Sequence, residues 1–154
     1  MANLAEFGAS LATTREWIGD LMAILETGNE AQACRALRVT MQELRDHLTI
    51  AEVADFSAQL PLLLRGVFYE GWRPTGKPVK RRSKEEFLEK ISRHFPEFSE
   101  VTEVEETVRD VFEFLSRKVS AGEIRDIVTS LPKDLRDLWP PESANAPRTP
   151  AALR

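Results

Sequence analysis

The residue types that most often carry out chemistry are few in this chain and stand far apart in its sequence. His47 and His94 are its two histidines and Cys34 is its single cysteine, and neither a metal-ligand spacing nor a nucleophile–base motif joins them. Glycine-rich phosphate loops and the G-x-S-x-G nucleophile motif are absent as well. The sequence therefore predicts no catalytic residue, no metal site and no cofactor, and it favours a protein that is not an enzyme.

The surroundings of these three residues favour structural roles. His47 follows the end of a long apolar stripe at a polar position, which indicates a cation near a helix C-terminus, where the helix dipole favours positive charge. Cys34 falls on the apolar stripe itself and is predicted to be a small buried side chain. A site shared by His47 and His94 would require the fold to bring distant parts of the chain together.

Carboxylates gather in one stretch, and no basic residue lies between Pro96 and Val108. The glutamates of this stretch are Glu97, Glu100, Glu103, Glu105 and Glu106. Hard cations need spaced oxygen ligands in a fixed loop, whereas acidic side chains complement the positive N-terminus of a helix. This stretch therefore predicts a solvated helix start rather than a metal site.

Basic residues gather in the segment 73–82, where they make up five of ten residues and follow the aromatic stretch 68–72 directly. Exposed aromatic and basic side chains together are typical of a surface that meets an acidic partner, a phosphate-bearing ligand or nucleic acid. The alternative is an ordinary connecting segment whose aromatic side chains pack inward. The candidate partner-binding residues are Tyr69, Glu70, Trp72, Arg73, Lys77, Lys80, Arg81 and Arg82.

The elements that must position these residues are predicted to be helices. Apolar residues recur at three- and four-residue spacing almost throughout, and strand-like alternation is absent beyond four residues. The stripes of the first part are Trp17–Leu25, Cys34–Leu48, Val53–Leu60 and Leu64–Phe68, and those of the second part are Phe87–Ile91, Val104–Val119, Ile124–Leu131 and Leu135–Trp139. The sequence therefore predicts an all-α fold.

The second part of the chain repeats the first. Placing residues 37–68 on residues 108–139, an offset of 71 positions, gives eight identities in 32 pairs, against about two expected at random. We predict two tandem pseudo-symmetric four-helix repeats packed into one compact helical domain, with the second helix of each repeat the longest and central. The predicted boundaries are a first helical repeat over 1–72, a basic Pro/Gly linker over 73–82, a second helical repeat over 83–139 and a Pro-rich mobile tail over 140–154.

Predicted helix starts recur in matching positions of the two repeats. A Ser or Thr followed three residues later by Glu can satisfy two backbone N–H groups at a helix N-terminus. Such pairs are Thr13/Glu16, Thr49/Glu52, Ser83/Glu86 and Ser120/Glu123. Four such pairs in register support the repeat independently of the apolar stripes.

An aspartate and an arginine also recur at one spacing. Asp55 and Arg65 flank a Leu-Pro corner in the first repeat, and Asp126 and Arg136 flank the matching corner in the second. We predict that each pair forms a structural ion pair that fixes the angle between two helices. The alternative is that both arginines face a common anion.

One run of residues resembles a known family. The segment Leu60–Trp72 contains the run Arg-Gly-Val-Phe-Tyr-Glu-Gly-Trp, and the segments 120–123 and 131–140 echo its surroundings. These segments resemble the bacterial family catalogued as domain of unknown function 2267, and the likeness covers roughly residues 10–140. The resemblance implies a small, cytoplasmic, all-helical bacterial protein, and it carries over no catalytic residue.

Composition narrows the class of function. The chain has 154 residues with 21 basic and 25 acidic side chains, a formal net charge of −4, which is evidence against a dedicated nucleic-acid binder. A single cysteine excludes an intramolecular disulfide, and no apolar run approaches the ~20 residues of a membrane span. The start of the chain lacks the pattern of a secretory signal, so we expect a cytoplasmic location without membrane contact.

Three functions follow as hypotheses. The favoured one is a non-catalytic helical module that binds another protein or itself. The second is a nucleic-acid or phosphate-anion binder that uses the basic linker 73–82. The third is an unrecognised enzyme or cofactor-binding protein, for which a deep polar pocket lined by Arg65 or Tyr69 would be the sign.

Overall fold

The computed structural model describes residues 3–79 and 83–145, and within those ranges it contains helices and no strand. The α-helices are α1 (Leu4–Leu25), α2 (Glu30–Arg45), α3 (Ile50–Ser57), α4 (Leu62–Tyr69), α5 (Lys84–Ser92), α6 (Val101–Lys118), α7 (Ala121–Ser130) and α8 (Lys133–Arg136). A 3-10 helix follows at Pro141–Asn145. The predicted all-α class is confirmed.

The core is one continuous cluster to which all eight α-helices contribute apolar side chains. Helices α2 and α6 pack against each other, and each also packs against α1 and α5. Leu44 of α2 and Leu115 of α6 are 1% and 0% exposed, respectively. In the second half, the rings of Phe112 and Trp139 stack with their centroids 4.1 Å apart. The stripes that predicted the helices are therefore the faces that form the core.

The order of the helices fits the predicted repeat, with α1–α4 followed by α5–α8, but the first half differs from the prediction in one respect. Its longest helix is α1, with 22 residues, rather than α2, with 16. Helix α1 begins after Asn3, whose side-chain oxygen accepts a hydrogen bond from the backbone N–H of Glu6 at 3.1 Å. Thr13 lies inside the helix, and its hydroxyl donates to the carbonyl of Ala9. The predicted helix start at Thr13 is therefore wrong. The hydroxyl of Thr13 does not cap a helix but bonds the carbonyl four residues before it, as a threonine within a helix can do.

The other three predicted helix starts are present. Thr49 and Glu52 form the full reciprocal pair at the start of α3, with bonds of 3.1 and 2.8 Å. Ser83 and Ser120 each accept a hydrogen bond from the N–H three residues later, at the starts of α5 and α7. Local side-chain bonds thus set where α3, α5 and α7 begin.

The two threonines Thr49 and Thr13 provide a matched test of these helix starts. We expect Thr49→Ala to lower the free energy of unfolding by about 1 kcal/mol, because the first turn of α3 loses its side-chain acceptor. Thr13→Ala should change it by less than about 0.5 kcal/mol, since Thr13 is exposed and caps nothing. Chemical denaturation measures both values, and equal losses would contradict the observed start of α1.

The structure corrects the predicted ion pairs. Within the described ranges, no salt bridge joins Asp55 to Arg65 or Asp126 to Arg136. Both arginines bond backbone carbonyls instead. The recurrence of this arginine therefore reflects a helix-end contact that is common to both halves.

Each of these arginines binds the end of the helix before the Leu-Pro corner. Arg65 donates from Nε to the carbonyl of Ser57 at 3.0 Å and from Nη2 to that of Leu60 at 3.1 Å. Arg136 donates from Nη2 to the carbonyl of Leu131 at 3.0 Å. The last carbonyls of a helix lack partners within the helix and carry partial negative charge, which attracts a cation. At each corner, hydrogen bonds from an arginine side chain to backbone carbonyls thus hold the angle between the two helices.

The described part of the predicted tail also differs from the expectation of an extended arm. The 3-10 helix Pro141–Asn145 packs against α7, and Ser143 is 6% exposed. Ala144 contacts the core cluster. Residues 146–154 lie outside the described part of the chain.

Side chains of the first half reach the second half at several points. Gln59 donates from Nε2 to the hydroxyl of Ser120 at 3.0 Å and accepts from its backbone N–H at 2.7 Å. Lys118 forms an ion pair with Asp20 on α1. These contacts, together with the continuous core, join the two halves into one body.

Candidate functional site

The aromatic part of the predicted site is packed against the core. The hydroxyl groups of Tyr69 and Ser57 hydrogen-bond at 2.7 Å, and the rings of Tyr69 and Trp72 lie 5.7 Å apart. Gly71 has a φ of 73°, a conformation that glycine adopts without strain and that turns the chain between these rings. Both rings are half-buried, and Trp72 Nε1 is buried without a hydrogen-bond partner among the described residues. This geometry fits aromatic side chains that pack inward.

The charged part of the predicted site is only partly described. Glu70 and Arg73 are exposed, and Lys77 is half-buried. The segment is attached to α2 by a hydrogen bond from the N–H of Val79 to the carbonyl of Asp46 at 2.8 Å. Lys80, Arg81 and Arg82 lie outside the described residues. A partner-binding role of this junction stays a prediction.

The two histidines have different surroundings. His47 is 6% exposed at the end of α2, where Nδ1 donates to the carbonyl of Glu43 and the ring packs edge-on against Phe87. His47 lies just after the end of α2, as the sequence predicts, and the fold buries it there. His94 is exposed in the turn after α5. His47 thus contributes to packing at the end of α2.

An open groove lies between α1, α2 and α4. It has a volume of about 400 Å³. Its apolar or small lining residues are Thr14, Ile18, Ala31, Cys34, Leu37, Met41, Leu63, Leu64 and Val67. Arg35 and Arg38 are the charged residues among its described lining residues, and no carboxylate accompanies them. The groove therefore combines apolar walls with positive charge.

Polar contacts between the helices hold the walls of this groove in place. Pro61, which precedes α4, offers no side-chain acceptor, and the hydroxyl of Ser10 on α1 accepts from the N–H of Leu63 at 3.1 Å instead. At the other end of α4, Gln42 of α2 donates to the carbonyl of Val67 at 2.8 Å. The groove is thus formed by helices that are fixed to one another at both ends of α4.

Cys34 lies in this groove and is exposed, so the prediction of a buried cysteine is wrong. The apolar spacing that includes Cys34 is real, but this end of α2 faces an open groove instead of another helix. Partial burial against the walls, with a smaller contribution from the charge of Glu30, raises the pKa of the Cys34 thiol, and Arg38 opposes this rise. Cys34 is therefore accessible and mainly a neutral thiol near pH 7.

The matching positions in the second half are filled by ion pairs. The offset of 71 places Glu105 at the position of Cys34 and Arg109 at that of Arg38. Arg109 donates to Glu105 at 2.9 Å, and Lys84 lies 3.7 Å from the same carboxylate. The hydrogen bond from Arg109, assisted by both positive charges, lowers the pKa of Glu105. Arg38, in contrast, makes no hydrogen bond or ion pair with the rest of the described chain.

Exposed apolar side chains concentrate beside the groove. Seven large apolar residues are exposed in the described ranges, and five of them belong to α1 and to the start of α4. These five are Leu4, Phe7, Leu11, Leu62 and Leu63. The other two, Ile50 and Val101, are single residues at helix starts. Such a concentration is typical of an interaction surface.

A separate acidic groove lies between the end of α1, α2 and α6. Burial, together with the smaller effect of the charges of Glu113, Glu106 and Glu26, raises the pKa of Asp110 in this groove.

Across residues 3–79 and 83–145, no group of three or more His, Cys, Asp or Glu side chains is placed to hold a metal ion. The same residues include no helix with the length and apolar character needed to cross a lipid bilayer.

The fold and the groove between α1, α2 and α4 define a class: an all-helical protein whose candidate site lies between helices. The chain belongs to the family of uncharacterized conserved proteins catalogued as DUF2267, whose model matches residues 14–138. The resemblance that rests on the run ending in Trp72 is thus confirmed. None of the curated proteins compared with the chain matches it.

Sequence reasoning missed the groove between α1, α2 and α4 because it began the first helix at Thr13. A signal was present, since Leu4, Phe7 and Leu11 continue the spacing of Ile18 and Leu21 backwards along α1. That spacing predicts a longer helix with one continuous apolar face.

Proposed function

We propose that this protein is a non-catalytic helical interaction module and that the groove between α1, α2 and α4 receives an amphipathic helix of a partner. The observation that carries the proposal is the contrast between matched positions of the two halves. Glu105 and Arg109 pair with each other, whereas Cys34 and Arg38 border an apolar groove. An apolar groove between helices is a common receptor for the apolar face of a helix.

The charge of the groove indicates which helix it would accept. Arg38 is exposed and has no partner in the described chain, whereas Arg35 is paired with Glu97 and lies over the ring of Phe95 at 4.9 Å. A partner with acidic residues beside its apolar face would neutralise Arg38 and would be attracted over a longer distance. We therefore propose an apolar helix face flanked by carboxylates as the ligand.

The remaining parts of this proposal concern origin and alternatives. We propose a bacterial cytoplasmic protein, as the resemblance of the run ending in Trp72 to the DUF2267 family implies. The alternative of a nucleic-acid or phosphate-anion binder depends on the segment 73–82, where Arg73 is exposed. The bond from Val79 to the end of α2 supports a connecting role for this segment instead.

A designed peptide tests the groove directly. The probe is a helix-forming peptide with leucines at positions i, i+3 and i+7 and glutamates beside them, titrated calorimetrically into the full-length protein. We expect saturable binding, which weakens by about tenfold or more when lysines replace the glutamates, because Arg38 then faces like charge. If neither peptide binds, the proposal is overturned.

The second half of the chain suggests the matched variants. Cys34→Glu introduces the residue found at the matching position, where it can pair with Arg38 and fill the groove edge, and we expect it to weaken peptide binding. Cys34→Ser keeps the size and should bind as the unmodified protein does. Arg38→Glu should reverse the preference towards the lysine-flanked peptide. Thermal unfolding of each variant checks that these exposed substitutions leave the fold intact, and equal binding by all three would refute this site.

A further inference from the structure

One face of α1 carries a single apolar stripe that is buried at one end and open at the other. Leu4, Phe7 and Leu11 lie on the same face as Thr14 and Ile18, at spacings that alternate between three and four residues. This is the spacing of helices that pair side by side. Exposure falls from 85% at Leu4, through 45% at Phe7 and 43% at Leu11, to 6% at Ile18. We call the three exposed residues, Leu4, Phe7 and Leu11, the α1 stripe.

The α1 stripe and the groove share the same face of α1. Thr14 and Ile18 line the groove, and the α1 stripe continues from them towards the start of the helix. From Leu4 to Ile18 the helix extends about 21 Å, at a rise of 1.5 Å per residue. A surface that offers apolar side chains at one end and a groove at the other is complementary to itself when turned by a half rotation.

We infer that the partner of the groove is a second copy of this chain, whose α1 stripe enters the groove while its own groove receives the first copy's stripe. The two α1 helices then run antiparallel across a two-fold axis. Such an arrangement is closed, because both contacts form in one dimer and neither a stripe nor a groove is left to add a third chain. This inference rests on the proposed function and names its partner.

The chemistry of the α1 stripe fits the groove. Apolar anchors at i, i+3 and i+7 are the pattern by which a helix is recognised in a groove. Glu6 is the only charged residue from Leu4 to Thr14, and its sign is opposite to that of the groove's Arg38. The chain therefore contains a ligand of the class that the groove would accept, and it leaves that ligand exposed.

Sedimentation velocity over a wide range of protein concentration tests the inference. We expect the mass to rise from 17.5 kDa to twice that value as concentration increases. The double substitution Phe7→Asp/Leu11→Asp should raise the dissociation constant by about a hundredfold or more, because it removes two anchors from each of two contacts. The matched control is Ala9→Asp/Thr13→Asp, which places the same charges at the same spacing on the opposite face of α1 and should leave the dimer intact.

Alkylation of Cys34 reports on the groove itself. Its rate should fall as the unmodified protein dimerises, stay high in Phe7→Asp/Leu11→Asp and follow the unmodified protein in the Ala9→Asp/Thr13→Asp control. Circular dichroism and thermal unfolding show whether the stripe variant keeps its helices, since its substituted side chains are exposed. A monomer at every concentration, a dimer that survives Phe7→Asp/Leu11→Asp, or Cys34 reactivity that ignores dimerisation would overturn the inference.

The designed peptide separates failure of this inference from failure of the proposed function. If the acidic peptide binds a protein that stays monomeric, the groove is a receptor and its partner is another protein. If a dimer forms and Cys34→Glu leaves it intact, the dimer uses another surface and the inference is refuted. If the dimer is lost both in Cys34→Glu and in Phe7→Asp/Leu11→Asp, mixing these two variants should restore association, because an intact stripe then meets an intact groove once per pair.

Discussion

We expect Leu44→Ala and Leu115→Ala each to lower the free energy of unfolding by about 2–5 kcal/mol, the cost of truncating a leucine in a tightly packed core. Leu44 lies on α2 and Leu115 on α6, and both are buried where these two central helices meet the core. The loss of stability has two parts: less apolar surface is buried, and a cavity remains in the core. Chemical denaturation monitored by circular dichroism measures the two values.

The control for these truncations is Leu62→Ala, which removes the same atoms from a residue that is 41% exposed. We expect it to cost less than about 1 kcal/mol, since surface leucines lose little apolar burial. Losses below about 1 kcal/mol for both core variants would mean that α2 and α6 are not central to the fold.

A second large effect is expected at Arg45, a charged side chain that is 5% exposed. Its Nη1 donates to the carbonyls of Phe68 and Glu70 at 2.8 and 2.9 Å, and its Nε donates to Asp46 at 3.1 Å. We expect Arg45→Met to lower the free energy of unfolding by about 2–4 kcal/mol, because it leaves a carboxylate and two carbonyls of the α4 end without their donor. Equilibrium unfolding in urea measures this loss.

Arg38 provides the comparison on the same helix. It is exposed and makes no hydrogen bond within the described chain, so Arg38→Met should change the free energy of unfolding by less than about 0.5 kcal/mol. Arg45→Lys should restore only part of the loss, because an ammonium group lacks the planar set of donors that reaches several acceptors. Equal effects at Arg38 and Arg45 would contradict the role of Arg45 in holding the end of α4.

The helices and the core could be predicted from the sequence because burial imposes a period. Leu44, Leu115 and their neighbours stand at three- and four-residue spacing, and their faces meet in the core as predicted. The starts at Thr49, Ser83 and Ser120 could be predicted as well, since each uses a side chain three residues from its N–H donor. Both kinds of signal are local, and a single sequence contains them in full.

Contacts with backbone atoms and the absence of a covering helix carry no such signal. The arginines Arg65 and Arg136 recur for a structural reason, but their acceptors are carbonyls, which every residue has. The sequence instead suggests the aspartate that recurs at a fixed spacing as their partner, and that prediction is wrong. Cys34 has the spacing of a core residue, and only the packing of three helices determines that its end of α2 remains open.

The proposed interaction surface lies apart from the candidate partner-binding residues that the sequence singled out at 69–82. Trp72 and Tyr69 attract notice because aromatic residues are frequent at binding sites, yet here they pack against the core. Leu4, Phe7 and Leu11 look ordinary, and their significance lies in the exposure that the fold leaves them. Residue type alone does not distinguish a core aromatic from a contact aromatic.

The reciprocal hydrogen bonds between Gln59 and Ser120 have a consequence for any attempt to divide the molecule. Helix α7 obtains part of its N-terminal cap from a glutamine that lies 61 positions earlier in the chain, in the first half. A fragment that begins at Ser83 would carry every residue of α7 and still lack this acceptor for the N–H of Ser120. The second half therefore depends on the first for a helix cap, and the two halves share one continuous core. We expect heating to unfold them together in a single cooperative transition.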